Sequence, residues 1–327
     1  MLLILFLLSF PMTGFVRHYA LLHKVIDIPN HRSSHIVPTP RGGGVAFVFL
    51  FLMGSMYLAY CGDVSFWEAL GSFVAGVGVA ALGFMDDHWP ISAKWRLLAH
   101  FLAGGFALYC LGGMAALIPS GWNIPGAGLL INLVALVYLV WILNLYNFMD
   151  GINGLAAVEA ITVCLGGALI YGLQGEASMV LLPLVLAVVV AGFLFWNFPV
   201  ARIFMGDVGS GFLGLMIGIF SIQAAHVHTA FFWGWLILSG VFIVDATVTL
   251  LRRIINGSRI DEPHRLHAYQ RAVDMFESHV KVTLAVMVIN LVWLLPLAVL
   301  VGLGYLHGVM GLLIAYLPLV VLVFQFS

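Results

Sequence analysis

The sequence predicts an all-α polytopic membrane protein of about eleven transmembrane helices. Two observations carry this prediction. Of 327 residues, 63% are hydrophobic and only 8% charged, with a mean hydropathy of +1.10, whereas a soluble domain carries about a quarter charged residues. Such a chain cannot cover itself with a water-compatible surface, so the lipid bilayer is its solvent. The apolar runs, moreover, are about 20 residues long, which suits membrane-crossing helices and not the ~10-residue alternating strands of a barrel.

In chain order the runs are 2–22, 45–61, 66–84, 95–117, 129–146, 155–173, 179–198, 211–225, 231–251, 280–301 and 308–324. The first could pass for a signal peptide, but it lacks a basic start and no small-x-small cleavage site precedes the basic loop, so it reads as a retained helix. The eighth is short and Gly-rich and is the weakest span. The ninth encloses Asp245, seven residues before Arg252 and therefore about 10 Å deep. An acid at that depth faces the bundle interior and seeks a basic partner; Glu159 in the sixth run is a similar case. No soluble domain fits between runs, so 1–327 reads as a single integral membrane domain. Its longest connectors are 23–44 and 252–279. Cys61, Cys110 and Cys164 show neither CxxC nor Cys/His spacing, so no disulfide framework or zinc site is indicated.

Eleven crossings divide the connectors between two sides. Lys24, Arg32, Arg41, Lys94, Arg202, Arg252, Arg253, Arg259, Arg265 and Arg271 fall on one side. Arg17, Arg96 and Lys281 lie at helix ends that abut it, which accounts for all 13 Lys and Arg residues. The positive-inside rule makes that side cytoplasmic.

The polar motifs gather on the same side. The stretch from Asn144 to Gly154 closes one apolar run and precedes the next, and it contains Asn147, Asp150 and Asn153 with Gly151 and Gly154. Asn147 and Asp150, three apart, share a helical face and offer the oxygen ligands that hard cations use. Asp86-Asp87-His88 ends the third run, where adjacent carboxylates can bind a divalent ion or exchange protons. Gly206-Asp207-Val208-Gly209-Ser210-Gly211 opens the eighth. It exposes backbone N–H groups and one carboxylate, a combination suited to a phosphate with a metal. In the 252–279 loop, His264 and His267 are three apart, flanked by Arg265, and can hold a phosphate, donate to a leaving group or ligate metal. The 23–44 loop, stiffened by prolines, offers Arg32, His35 and Arg41 as phosphate contacts. Each motif also has a plain reading: a capped helix end, a Gly-rich packing face, or a basic loop touching lipid headgroups.

Taken together and in this order, the motifs resemble the polyprenyl-phosphate N-acetylhexosamine-1-phosphate transferases. That superfamily includes the phospho-MurNAc-pentapeptide translocase and the GlcNAc-1-phosphate transferases that start O-antigen, enterobacterial antigen and teichoic-acid chains. The resemblance runs from Asp27 to about Arg271. It implies that a polyprenyl phosphate, undecaprenyl phosphate in bacteria, attacks the β-phosphorus of a UDP-sugar, releasing UMP and leaving a polyprenyl-diphosphate sugar. It further implies Mg2+, with Mn2+ as a substitute. Asp207 matches the metal-ligating aspartate, with Asp150 beside it as a second candidate ligand. Asn147 and Asp150 match a polar pair near metal and nucleotide. Asp86 and Asp87 match the pair proposed to bind or deprotonate the lipid phosphate, and His264 and His267 match a loop that holds the nucleotide sugar. Two departures argue against a pentapeptide substrate: a compact histidine triplet is replaced by His264-Arg265-Leu266-His267, and Asn153 stands where many members have Asp. The Arg32-Ser33-Ser34-His35 and Pro38-Thr39-Pro40-Arg41 segments look like the O-antigen-initiating branch, which uses UDP-amino sugars such as UDP-FucNAc or UDP-QuiNAc derivatives. The expected setting is the bacterial inner membrane with a cytoplasmic site. No nucleic-acid partner is expected, and a homodimer is left open.

The competing reading is a multi-pass transporter or flippase of a lipid-linked or anionic solute. Transporters place polar groups near the midplane and show repeat symmetry. Here the polar clusters sit at one face and no repeat is evident. An intramembrane metalloprotease would need a His-Glu-x-x-His helix, which is absent from the sequence.

Overall fold

The computed structural model describes residues 1–29, 34–114, 126–257 and 265–326. The apolar runs form helices: α1 (Leu2–Leu22), α2 (Gly44–Cys61), α3 (Phe66–His88), α4 (Ala93–Cys110), α5 (Ala127–Met149), α6 (Leu155–Gln174), α7 (Ala177–Asn197), α8 (Asp207–Val227), α9 (Thr229–Leu238), α10 (Gly240–Ile255), α11 (Ala268–Phe276), α12 (His279–Val288), α13 (Leu295–Gly302) and α14 (Gly308–Gln325). A π-helical stretch, Ile289–Leu294, joins α12 to α13. Strands β1 (Ile26–Asp27) and β2 (Thr39–Pro40) pair antiparallel and close the base of the first connector.

Among the described residues nine helices are long and apolar enough to cross a membrane, ten with α9 and α10 taken as one bent span. The expected fourth span is the exception. Lys94, Arg96 and His100 dilute the apolar character of α4, which ends at Cys110, short of the predicted 117. The expected ninth span is two helices meeting at 70°. The break falls at Ser239-Gly240, and Gly/Ser pairs are common kink sites. The Tyr316 hydroxyl donates to the Leu236 carbonyl beside the break (2.6 Å), satisfying an acceptor that the interrupted helix leaves orphaned.

The weakest predicted span proves to be the centre of the bundle. α8 begins at Asp207, earlier than the sequence reading placed it, and Val208 through Ala225 are all buried. It packs against α2, α3, α5 and α9. Its glycines let neighbouring backbones approach closely, the usual packing solution in lipid. Near its start it crosses α3 at Gly83, where a Cβ would overlap the Asp207 carbonyl and the Val208 nitrogen. One turn beyond Gly83, α3 delivers Asp86 and Asp87 to the start of α8.

Gly83→Ala is expected to lower the thermal midpoint of the detergent-solubilised protein, because overpacking costs about 1–3 kcal/mol. Gly78→Ala, on the same helix and facing open space, leaves the midpoint at or above that of the parent. Identical behaviour of the two variants would contradict a close crossing.

Candidate active site

Asp86 and Asp87 end α3, Asp207 opens α8, and Asn147 and Asp150 end α5, so three helix termini meet at one end of the bundle. The side chains of Asp86, Asp87, Asn147 and Asp207 form a linked set. Arg96, from the first turn of α4, places Nη1 2.5 Å from Asp86 Oδ2 and 3.3 Å from Asp207 Oδ2. Asn147 Nδ2 lies 3.5 Å from Asp207 Oδ2, and the Ser210 hydroxyl donates to Asn147 Oδ1 (2.8 Å). The Ile91 N–H donates to Asp86 Oδ1 (2.6 Å). The Asp207 N–H donates to Asp87 Oδ1 (3.2 Å), so the buried Asp87 caps the N-terminus of α8, where a carboxylate is favoured. Arg41 closes the other side: its Nε and Nη2 donate to the Asp87 carbonyl (3.1 and 2.5 Å), and Nε lies 3.6 Å from Asp87 Oδ1.

Backbone pairing fixes this geometry. The Phe204 N–H donates to the Pro40 carbonyl (2.8 Å), the Gly43 N–H to the Phe204 carbonyl (2.9 Å), and the Gly44 N–H to the Met205 carbonyl (2.9 Å). The first connector is thereby stitched to the segment entering α8, with Arg41 beside Gly206-Asp207. Gly206 has φ +76, and a Cβ there would collide with Asp87 Oδ2; no other residue satisfies both conditions.

Carboxyl groups outnumber cations at this end of the bundle. Four carboxyl groups (Asp86, Asp87, Asp150, Asp207) share this end with the guanidinium groups of Arg41 and Arg96. Burial, then the charges of Asp207 and Asp87, push the Asp150 carboxyl well above its ordinary range, because like charges in a poorly solvated site disfavour ionisation. Asp87 Oδ2 is buried and accepts no hydrogen bond. The cleft among Gly83, Asp86, Arg96, Asn147 and Asp207 has about 10 Å³ free, room for one water-sized particle. Among the described residues no three His, Cys, Asp or Glu side chains are grouped so as to hold a metal ion. Asp86, Asp207 and Asn147 offer oxygens of the kind hard cations use.

The other predicted residues fall beside this centre. His267 is buried, with Nδ1 3.2 Å from Asp245 Oδ1, which gives Asp245 the basic partner expected of it. Its ring stacks on Phe148 at a centroid distance of 6.2 Å. Arg265 pairs with Asp274 (2.5 Å). Asn153 Nδ2 donates to the Pro199 carbonyl (3.2 Å), and its N–H approaches His279 Nδ1 (3.4 Å). His279 Nε2 reaches the Ser34 carbonyl (3.1 Å), and His35 packs edge-on to Phe204. Arg32 and His264 lie outside the described residues. Sequence reasoning did not single out Arg96, Ser210, Tyr269 or His279. The available signal for Arg96 was a cation inside the first turn of an apolar helix, ten residues after Asp86 and nine after Asp87.

The sequence profile described as "Glycosyl transferase family 4" matches residues 69–225, the region that carries the linked acids and nearly all of α8. The chain is 29% identical over 308 residues to the decaprenyl-phosphate N-acetylglucosaminephosphotransferase of Mycobacterium tuberculosis, covering 84% of this chain and 75% of that one. It is 26% identical over 274 residues to the phospho-N-acetylmuramoyl-pentapeptide-transferase of Streptococcus mutans, covering 76% of each. It is 29% identical over 246 residues to the enzyme of the same name from Moorella thermoacetica, covering 70% of this chain and 74% of that one. Over residues 69–225 the chain is similar to glycosyl transferase family 4. The chain is a multi-pass membrane phosphotransferase, and the joined helix ends are its candidate active site.

Arg96 is the residue that holds two acids of this enzyme together. Arg96→Gln is expected to lower the transfer rate by about 10²-fold or more, measured as nucleotide release at matched protein levels, with Arg96→Lys retaining part of the rate. A parental rate in Arg96→Gln would place Arg96 outside the site.

Proposed function

We propose that this enzyme transfers an N-acetylhexosamine-type sugar-1-phosphate from a UDP-amino sugar to undecaprenyl or a related polyprenyl phosphate, at the cytosolic face of the bacterial plasma membrane. The product, a polyprenyl-diphosphate sugar, would start a cell-envelope glycan such as an O-antigen. The observation that carries this reading is the convergence of Asp86-Asp87, Asn147, Asp150 and Asp207, from distant parts of the chain, at the meeting of three helix ends.

Phosphoryl transfer is chiefly a problem of positioning and charge neutralisation. An oxygen of the lipid phosphate forms the new bond to the β-phosphorus, the bond from that phosphorus to the bridging oxygen breaks, and UMP departs with it. Arg41 and Arg96 attract two anionic substrates to the same place, and each is held by the acids it neutralises. The Asp86–Asp87 pair, beside Arg41, keeps the lipid phosphate ionised by accepting its proton. Asn147, aligned by Ser210, and Asp150 face the nucleotide side. Asp207, with Asp150 as a second ligand, would hold Mg2+, which supplies charge neutralisation to the diphosphate and the leaving UMP. Arg41 of the first connector stands beside the acids, and the basic loop with Arg265 and His267, together with His35, would contribute to holding the sugar nucleotide. Asn153 and the absence of a histidine triplet favour a simple amino sugar over a pentapeptide-bearing one.

The test is a donor panel. Membranes carrying the protein, given undecaprenyl phosphate, Mg2+ and a set of UDP-N-acetylhexosamines, are expected to release UMP with at least one donor. EDTA should abolish the reaction and added Mg2+ restore it, and Asp207→Asn should lower the rate by about 10³-fold. Absence of UMP with every donor, or an unaffected Asp207→Asn, would contradict the reading. Sidedness has its own check. Inverted membrane vesicles should consume added UDP-sugar, whereas sealed right-side-out vesicles should not; the reverse pattern would move the site to the other face.

A further inference from the structure

Asp245 is an acid within the span formed by α9 and α10 and is only 3% exposed. A carboxylate in that setting is expensive unless its oxygens are fully engaged. They are engaged entirely by the start of α11 and by its own helix. Oδ1 accepts from the Ala268 N–H (3.0 Å) and the Thr249 hydroxyl (3.2 Å) and lies 3.2 Å from His267 Nδ1, while Oδ2 accepts from the Tyr269 N–H (3.0 Å). The first N–H groups of a helix have no partner within it, so Asp245 acts as the N-terminal cap of α11 although it lies 23 residues before Ala268. It thereby fixes where Tyr269 stands.

Tyr269 is buried, and its hydroxyl donates to the Phe148 carbonyl (2.9 Å). That carbonyl belongs to the last turn of α5, where acceptors are likewise orphaned. It lies one residue after Asn147 and two before Asp150. The next residue, Gly151, leaves room for the Tyr269 ring: a Cβ there would collide with its hydroxyl. Two further ties hold α10 to α5. Trp141 Nε1 donates to the Thr247 hydroxyl (3.3 Å), and Tyr146 packs on Phe242 with centroids 4.8 Å apart. The path from Asp245 to the Asn147–Asp150 turn thus consists of short contacts between buried groups.

We propose that Asp245 and Tyr269 are positioning residues that hold the turn carrying Asn147 and Asp150 by fastening the end of α5 to the start of α11. They touch neither substrate nor metal. Their effect on catalysis comes through the polar pair that they set, and that part of the argument rests on the proposed transfer reaction. The mechanical part does not. A consequence is that the loop bearing the histidines and the turn bearing the acids move as one unit, so displacement of either disturbs both.

Hydrogen–deuterium exchange on the full chain in nanodiscs, with Tyr269→Phe and Asp245→Asn, separates the two parts. Tyr269→Phe removes one hydroxyl and keeps the ring. It is expected to raise exchange across 147–154 about three- to tenfold, the scale of one buried hydrogen bond, and to leave 208–225 at the parental rate. Asp245→Asn should raise exchange over 266–276 as well as 147–154. In the transfer assay, Tyr269→Phe should lower kcat about tenfold while the KM for the lipid phosphate stays within twofold. Unchanged exchange over 147–154 in Tyr269→Phe overturns the proposal, and so does a uniform rise through the bundle, the mark of general destabilisation. Local exchange changes in a protein that transfers nothing would sustain the fastening and refute the reaction. Transfer with unchanged local exchange would do the opposite.

Discussion

The constraint on which this structure depends is the close crossing of α3 and α8 at Gly83. It brings the two-carboxylate end of one helix over the N-terminus of another, so that Asp87 caps α8 and Asp86 reaches Arg96. Neither acid could be held there without compensation, since burying unpaired charge costs several kcal/mol per ion. The compensation comes from three sources: the free N–H groups of α8, the Arg96 guanidinium shared by Asp86 and Asp207, and Arg41 on the outer flank. Arg41 is available only because the first connector is hydrogen-bonded to residues 204–205. A fold that looks like a bundle of independent apolar helices is therefore organised, at this end, by a small electrostatic knot.

The same reasoning explains where irregular backbone is tolerated. In lipid every N–H and C=O needs an internal partner, so a broken helix requires a neighbour to supply one. The Ser239-Gly240 break has the Tyr316 hydroxyl. The last turn of α5 has the Tyr269 hydroxyl, and Gly154, entering α6, donates its N–H to Asn197 Oδ1 (2.7 Å). The π-helical stretch precedes Pro296, whose missing N–H and bulky ring an α-helical register would not accommodate. Its Asn290 donates to the fully buried Glu159 (2.6 Å), which thus finds an amide partner where the sequence suggested a basic one. Polar groups in the bundle are hydrogen-bonded hinges as much as chemistry.

Much of this was legible in the sequence. Apolar runs gave the helices because lipid leaves few alternatives, and sorting of the cations gave a common face for the motifs. Asp86, Asp87, Asn147 and Asp207 could be nominated because acids and amides at helix ends need a reason to be there. What escaped was whatever depended on three-dimensional proximity. Arg96 looked like a boundary cation and is the shared counter-ion. α8 looked too short and glycine-rich to be secure and is the most buried helix, because glycine lowers apparent hydropathy while permitting the closest packing. Tyr269 was indistinguishable from any loop aromatic until its hydroxyl met the end of α5. The bend between α9 and α10 was foreshadowed only by one Ser-Gly pair inside a continuous apolar run.

The central claim is that the acids gathered at the α3–α8 crossing form a metal–diphosphate site. Electron paramagnetic resonance of Mn2+ bound to the purified protein with UDP tests it most directly. The account predicts 31P hyperfine coupling, showing metal and diphosphate in contact, and its loss in a variant with Asp207 replaced by Asn while the helical content is unchanged. A bound Mn2+ signal with the same 31P coupling in both proteins would show that the ion and the diphosphate are held elsewhere.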